Sequence, residues 1–97
     1  MQRHKREPSH PGKVLRHLYM EPLGINVSDL ARALRTSRKT VSKIVNEGGS
    51  ITPEMALRLS IAFDTTPQVW LNLQQNYDLW HAVRESKKLK QIQKIAA

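Results

Sequence analysis

Three cations, Arg38, Lys39 and Lys43, fall within six residues of the segment TSRKTVSKIVN (36–46), interleaved with Val41, Ile44 and Val45. Long N–H donors at this density suit a polyanion. Arg and Lys reach guanine O6 and N7 in the major groove of DNA, and Ser, Thr and Asn reach base edges or phosphates. Spaced as on an α-helix, the three apolar residues share one face, and Arg38, Lys39, Ser42, Lys43 and Asn46 share the other. A helix that is merely solvated usually pairs its Lys with Glu four positions away, whereas this face carries no acid before Glu47. Arg38, Lys39, Thr40, Ser42 and Lys43 are therefore expected at bases. Asn26, Arg35, Ser37 and Asn46 are expected at phosphates, helped by the amides that open the helix after Ser37.

Other chemistry finds no residues to carry it. His4, His10, His17 and His81 lack metal-ligand spacing, and Ser37, Ser42 and Ser50 lack an elbow or a His/Asp constellation. There is no Gly-rich phosphate loop, no paired carboxylate site and no cysteine. The reading is a protein that is not an enzyme, with no metal and no cofactor.

The elements that must position the basic helix are marked by caps and prolines. Ser9 or His10 with Pro11 opens a first helix, with Val14, Leu15, Leu18 and Tyr19 at helical spacing, which Pro22 and Gly24 end. Asn26, with Asp29 three residues on, caps a second in a capping-box arrangement, and Ser37 caps the third over 38–46. Thr52-Pro53 and Thr66-Pro67 open two more. The fourth, EMALRLSIAF, is apolar nearly all round and reads as central. No strand alternation is sustained, so the chain reads as all-α, five helices with short loops. Leu30, Ala31 and Leu34, followed across a three-residue break by Val41 and Ile44, have the spacing of a helix-turn-helix, with Ala31 small enough for a close crossing.

Ninety-seven residues with 39% hydrophobic content allow one domain. The net charge of +8 is unevenly spread: residues 1–16, 28–43 and 84–97 each carry +4, whereas 47–83 carry −3. The expected organisation is a mobile basic arm (1–9), a helix-turn-helix DNA-binding domain (10–83) and a basic tail (84–97), which prolongs the last helix weakly or frays. No apolar run approaches the ~18–20 residues that span a bilayer, and no apolar stretch follows the basic N-terminus as in a secretory signal. A cytoplasmic protein without membrane contact is expected.

The segment VSDLARALRTSRKTVSKIVN (27–46) resembles the helix-turn-helix of XRE-type (Cro/cI-like, lambda repressor-like) repressors, which are five-helix bundles. With HPGKVL (10–15), EPLGIN (21–26), ITPEMALRLSIAF (51–63) and TTPQVWLNLQQNYDLW (65–80), the chain is similar over about residues 9–80 to HigA-type antitoxins. That resemblance implies a dimer that represses its own operon, and a second partner, a HigB toxin, which is a RelE-like mRNA-cleaving ribonuclease. Departures from the family pattern are Arg35 and Thr36 in the turn, where Gly and an aliphatic residue are usual, Glu47 after Asn46, GGS in place of a basic loop, and Lys13 in place of an acid. A left-handed turn at Arg35 would carry about 1 kcal/mol of strain.

On the last helix, Val69, Trp70, Leu73, Tyr77, Trp80 and Val83 form one apolar stripe and Leu71, Leu79 and Ala82 a second. One stripe can seal the core; the other lacks an internal partner in so small a domain. A homodimer through Leu71, Leu79, Trp80 and Ala82 is the expectation. It would set two reading helices about one duplex turn (~34 Å) apart on palindromic operator DNA. The alternative is a stand-alone repressor of the same fold without a toxin partner; an RNA-binding helical protein is third.

Overall fold

Each main helix begins at a side chain that accepts a hydrogen bond from its own first turn. The computed structural model describes residues 6–96, so residues 1–5 of the expected arm, and Ala97, lie outside the described residues. His10, not Ser9, is the first cap: its Nδ1 accepts from the Gly12 amide at 2.9 Å and opens α1 (Pro11–Val14). This helix passes through a π-helical stretch (Leu15–Met20) into α2 (Glu21–Leu23) as one continuous rod. Asn26 and Asp29 exchange both bonds of a capping box, 2.8 and 3.1 Å, at the start of α3 (Val27–Leu34). Ser37, Thr52 and Thr66 accept from the amides of Thr40, Met55 and Val69 and open α4 (Arg38–Val45), α5 (Pro53–Phe63) and α6 (Pro67–Glu85). Each such cap is worth about 1 kcal/mol. Counting the α1–α2 rod as one helix, the fold is an all-α bundle of five helices, with no strand among the described residues.

As the sequence suggested, the first rod ends over Pro22 and Gly24, with Pro22 itself still inside the helix. Proline cannot donate to the carbonyl four residues back and crowds it. The chain widens just before it, the Glu21 amide reaching Arg16 O five residues back, so that Pro22 sits at the first turn of α2. Gly24, at φ 65°, then ends the rod. The same left-handed position after α3, α4 and α5 is filled by Arg35 (φ 57°), Glu47 (φ 64°) and Asp64 (φ 55°). At each of the four, the next amide reaches back five residues: Ile25 to Met20 O, Thr36 to Ala31 O, Gly48 to Lys43 O and Thr65 to Ser60 O. These are Schellman closures, three of them made without glycine. The cost at Arg35 is offset by Arg58, whose Nη1 donates to Leu34 O (2.7 Å) and Arg35 O (2.9 Å).

The core joins Leu15 and Met20 of the rod to Leu30, Ala31 and Leu34 of α3, Val41, Ile44 and Val45 of α4, and Met55, Ala56, Leu59 and Trp70 of α5 and α6. Trp70 is fully buried, and its indole N–H donates to Thr65 Oγ1 at 2.8 Å. Gln74, also buried, accepts from the Ile51 amide at 2.7 Å and so ties the α4–α5 loop to α6. The expectation that α5 is central is corrected. Met55, Ala56, Leu59 and Ser60 face inward, but Leu57 and Ile61 are 53% and 82% exposed, because no further layer covers α5 on that side.

At the C-terminus α6 ends at Glu85 and a 3-10 turn (Lys87–Gln91) follows, leaving Leu89, Ile92 and Ile95 exposed rather than prolonging the α-helix. Near the N-terminus, Glu7 is held against α6 by His81 Nε2, whose ring Nδ1 meets Glu85 at 2.9 Å. The Glu85 bond most of all, and the Glu7 bond, hold the His81 imidazole above its ordinary pKa; burial opposes them.

Candidate nucleic-acid interface

The segment 36–46 folds into two faces. Val41, Ile44 and Val45 are buried at 1%, 4% and 2% exposure, and Arg38, Lys39, Lys43 and Asn46 are exposed. Ala31, at 3%, lets α3 cross α4 closely on one side. On another side α1 presses directly on the α4 backbone: a Cβ built on Gly12 would lie 1.7 Å from Ile44 O. Packed on both flanks, α4 presents its polar face at a fixed angle, which is what reading a groove requires.

Around that face, Thr40 and Ser42 are half-buried. The Thr40 hydroxyl pairs with Ser37 Oγ at 2.8 Å. Ser42 Oγ accepts from Asn46 Nδ2 (3.1 Å), and Asn46 Oδ1 in turn accepts from Arg16 Nη2 (3.1 Å). Arg16, on the first rod, thus joins the edge of the basic face. Sequence reasoning counted it only as charge, because nothing local signals a contact thirty residues away. Asn26 and Arg35 are exposed at the two ends of α3. The carboxylate of Asp29, the acid nearest this face in α3, is engaged by the Asn26 amide (3.1 Å) and by Arg32 Nη1 (3.6 Å). The result is a cationic surface with hydroxyl and amide groups between the charges, suited to phosphates and base edges rather than to bond-making. A cleft on it is lined by Val27, Arg38, Lys39 and Ser42.

Of the four residues expected at a subunit contact, the structure brings three together. Leu71, Leu79 and Ala82 line a shallow apolar groove on α6 with Ile51, Gln74, Gln75 and Asp78. Trp80 lies off this groove, half-buried, with the Arg84 guanidinium 3.7 Å from its ring centroid and the His81 ring 5.0 Å away, edge-on. Leu79 and Trp80 point about 100° apart around the helix, and Trp80 packs against His81 and Arg84 rather than lining the groove.

The helix-turn-helix family model matches residues 17–70. Antitoxin HigA-1 of Vibrio cholerae is 41% identical over 80 residues, 82% of this chain and 75% of that protein. The chain belongs to the HigA-type helix-turn-helix family. An "uncharacterized HTH-type transcriptional regulator" of Haemophilus influenzae is 49% identical over 75 residues, covering 77% of this chain and 70% of the regulator. Among solved structures, antitoxin GraA in complex with its operator matches with a TM-score of 0.89 at 38% identity, over 100% of both chains. The family is one of DNA-binding regulators, not an enzyme family. The HigA-type domain departs from a glycine-closed turn at Arg35 and Glu47, and both positions do adopt the left-handed conformation. Among the described residues, no group of three or more His, Asp or Glu could hold a metal ion, and no helix is long and apolar enough to cross a membrane.

Proposed function

We propose that this chain is a cytoplasmic antitoxin and autorepressor without catalytic activity. As a homodimer it binds palindromic double-stranded operator DNA, and it neutralises a HigB/RelE-like mRNA-cleaving toxin. The observation that carries the DNA half is the uncompensated cationic face of α4, held by α1 and α3, in a chain that matches an operator-bound antitoxin over its whole length. In this reading Arg38, Lys39, Thr40, Ser42 and Lys43 meet base edges, and Asn26, Arg35, Ser37 and Asn46 meet phosphates. The toxin half is supported by the likeness to HigA-1. The organisation proposed is the DNA-binding domain of 10–83 between the basic segments 1–9 and 84–97.

The decisive experiment is co-expression with the product of an adjacent reading frame for a small basic RelE-like protein. Co-purification and a block of that protein's RNA cleavage are expected. Operator binding without either outcome would favour the second reading, a stand-alone repressor, which the regulator from Haemophilus influenzae supports by its name.

The dimer is proposed to form through the α6 groove, with Leu79, 43% exposed, in its lining. Buried apolar surface contributes about 25 cal/mol per Å², so a charge placed there should outweigh much of what holds two copies together. Leu79→Asp is expected to sediment as a monomer at micromolar concentration where the unaltered chain sediments as a dimer, with its far-UV spectrum unchanged. A dimer that survives the substitution would put the contact elsewhere.

A further inference from the structure

Val27 is the first residue of α3, directly after the Asn26 cap. Part of its side chain packs against the core. The rest opens into the cleft shared with Arg38, Lys39 and Ser42 on the reading face of α4. Three of the four lining residues carry hydrogen-bond donors. Ser42 Oγ already accepts from Asn46 Nδ2 at 3.1 Å, which leaves its O–H to donate. The cleft therefore offers donors beside one small apolar wall.

The base edges of the major groove match that combination in one way. Thymine alone presents an acceptor, O4, next to an apolar group, its C5 methyl. Cytosine would turn its N4 amino donor toward a set of donors. Guanine would satisfy Arg38 or Lys39 through O6 and N7 but would leave the Val27 surface against polar atoms. We infer that Val27 is a specificity-determining residue: its cleft receives the C5 methyl of one thymine in each operator half-site, while a neighbouring donor from α4 takes the O4. This deepens the DNA-reading role proposed above and rests on it.

The test uses the full chain and a duplex from its own promoter, delimited by footprinting. Thymines are replaced by deoxyuridine one symmetry-related pair at a time, which removes the methyl and leaves every base-pairing and O4 contact intact. Burial of one methyl predicts about a fourfold loss of affinity per half-site, roughly fifteenfold for a pair. That loss is expected at one thymine position, and Val27→Ala should bind the thymine and uracil duplexes alike. A flat uracil profile for the unaltered chain overturns the inference, and so does the same single-position loss persisting in Val27→Ala. A flat scan on the unaltered chain overturns the inference whether or not Val27→Ala folds; if that variant folds poorly, Val27→Thr, of matching shape, takes its place, with a reduced single-position loss expected and an undiminished one overturning the role of Val27. Arg38→Ala on the unmodified duplex separates the two levels: lost binding with a flat uracil profile removes only the role of Val27, whereas unchanged binding removes base reading by α4 and the Val27 contact with it.

Discussion

Gly12→Ala is expected to lower the melting temperature by roughly 10–20 °C and to weaken operator binding even below that temperature. An added Cβ would sit 1.7 Å from Ile44 O and 2.6 Å from Ile44 C, both backbone atoms in the last turn of α4. A side-chain neighbour could rotate away, but a helical carbonyl cannot, so α1 and α4 must separate. Overpacking costs about 1–3 kcal/mol when neighbours yield, and a site walled by backbone belongs at the upper end. For a domain of this size about 1 kcal/mol corresponds to roughly 4–8 °C. The displaced element is the reading helix itself, so the molecules that remain folded should also bind worse. Gly48→Ala is the control: its Cβ would come no closer than 3.7 Å to Lys43 O, an ordinary contact. Thermal unfolding and a binding isotherm at 20 °C check both. A Gly12→Ala chain that melts and binds like the unaltered one would mean that α1 does not lie on α4.

The largest effect on binding alone is expected from Arg38→Ala, with Lys39→Ala next. Both side chains are exposed on the face of α4 opposite Val41, Ile44 and Val45, so their removal should leave the fold intact. A good contact to a base edge is worth about 1–3 kcal/mol in discrimination. A dimer makes each contact twice, so the loss at a palindromic site should lie between roughly 30-fold and 10⁴-fold. Preference at one base pair per half-site should relax as well. Lys90→Ala is the contrast. It lies beyond α6 in the 3-10 turn, and should mainly flatten the dependence of binding on salt. Affinity measured on operator and scrambled duplexes across a salt series separates the two. Equal, small losses for Arg38→Ala and Lys90→Ala would argue against direct reading by α4.

The parts of the fold legible in the sequence are those decided over three or four residues. The caps at Asn26, Ser37, Thr52 and Thr66 follow from a hydroxyl or amide three positions before an orphan amide, and the two faces of α4 follow from helical spacing alone. Helix ends were less legible. Arg35, Glu47 and Asp64 close helices in the left-handed conformation without the glycine that advertises it, held by reach-back bonds and, at Arg35, by Arg58 from another helix. Composition also misled for α5, since an apolar circumference is central only where a layer exists to cover it, and Leu57 and Ile61 have none.

The candidate site divides along the same line. Which residues α4 presents, and that they are cationic and uncompensated, was determined by the sequence itself, because a helix of known period sorts its own side chains. Tertiary structure alone decided what stands around them: Arg16 reaching Asn46, Val27 walling the cleft beside Arg38, and Gly12 seated on Ile44. These contacts join residues distant along the chain, and their partners are chosen by how helices pack in three dimensions, which no local pattern encodes.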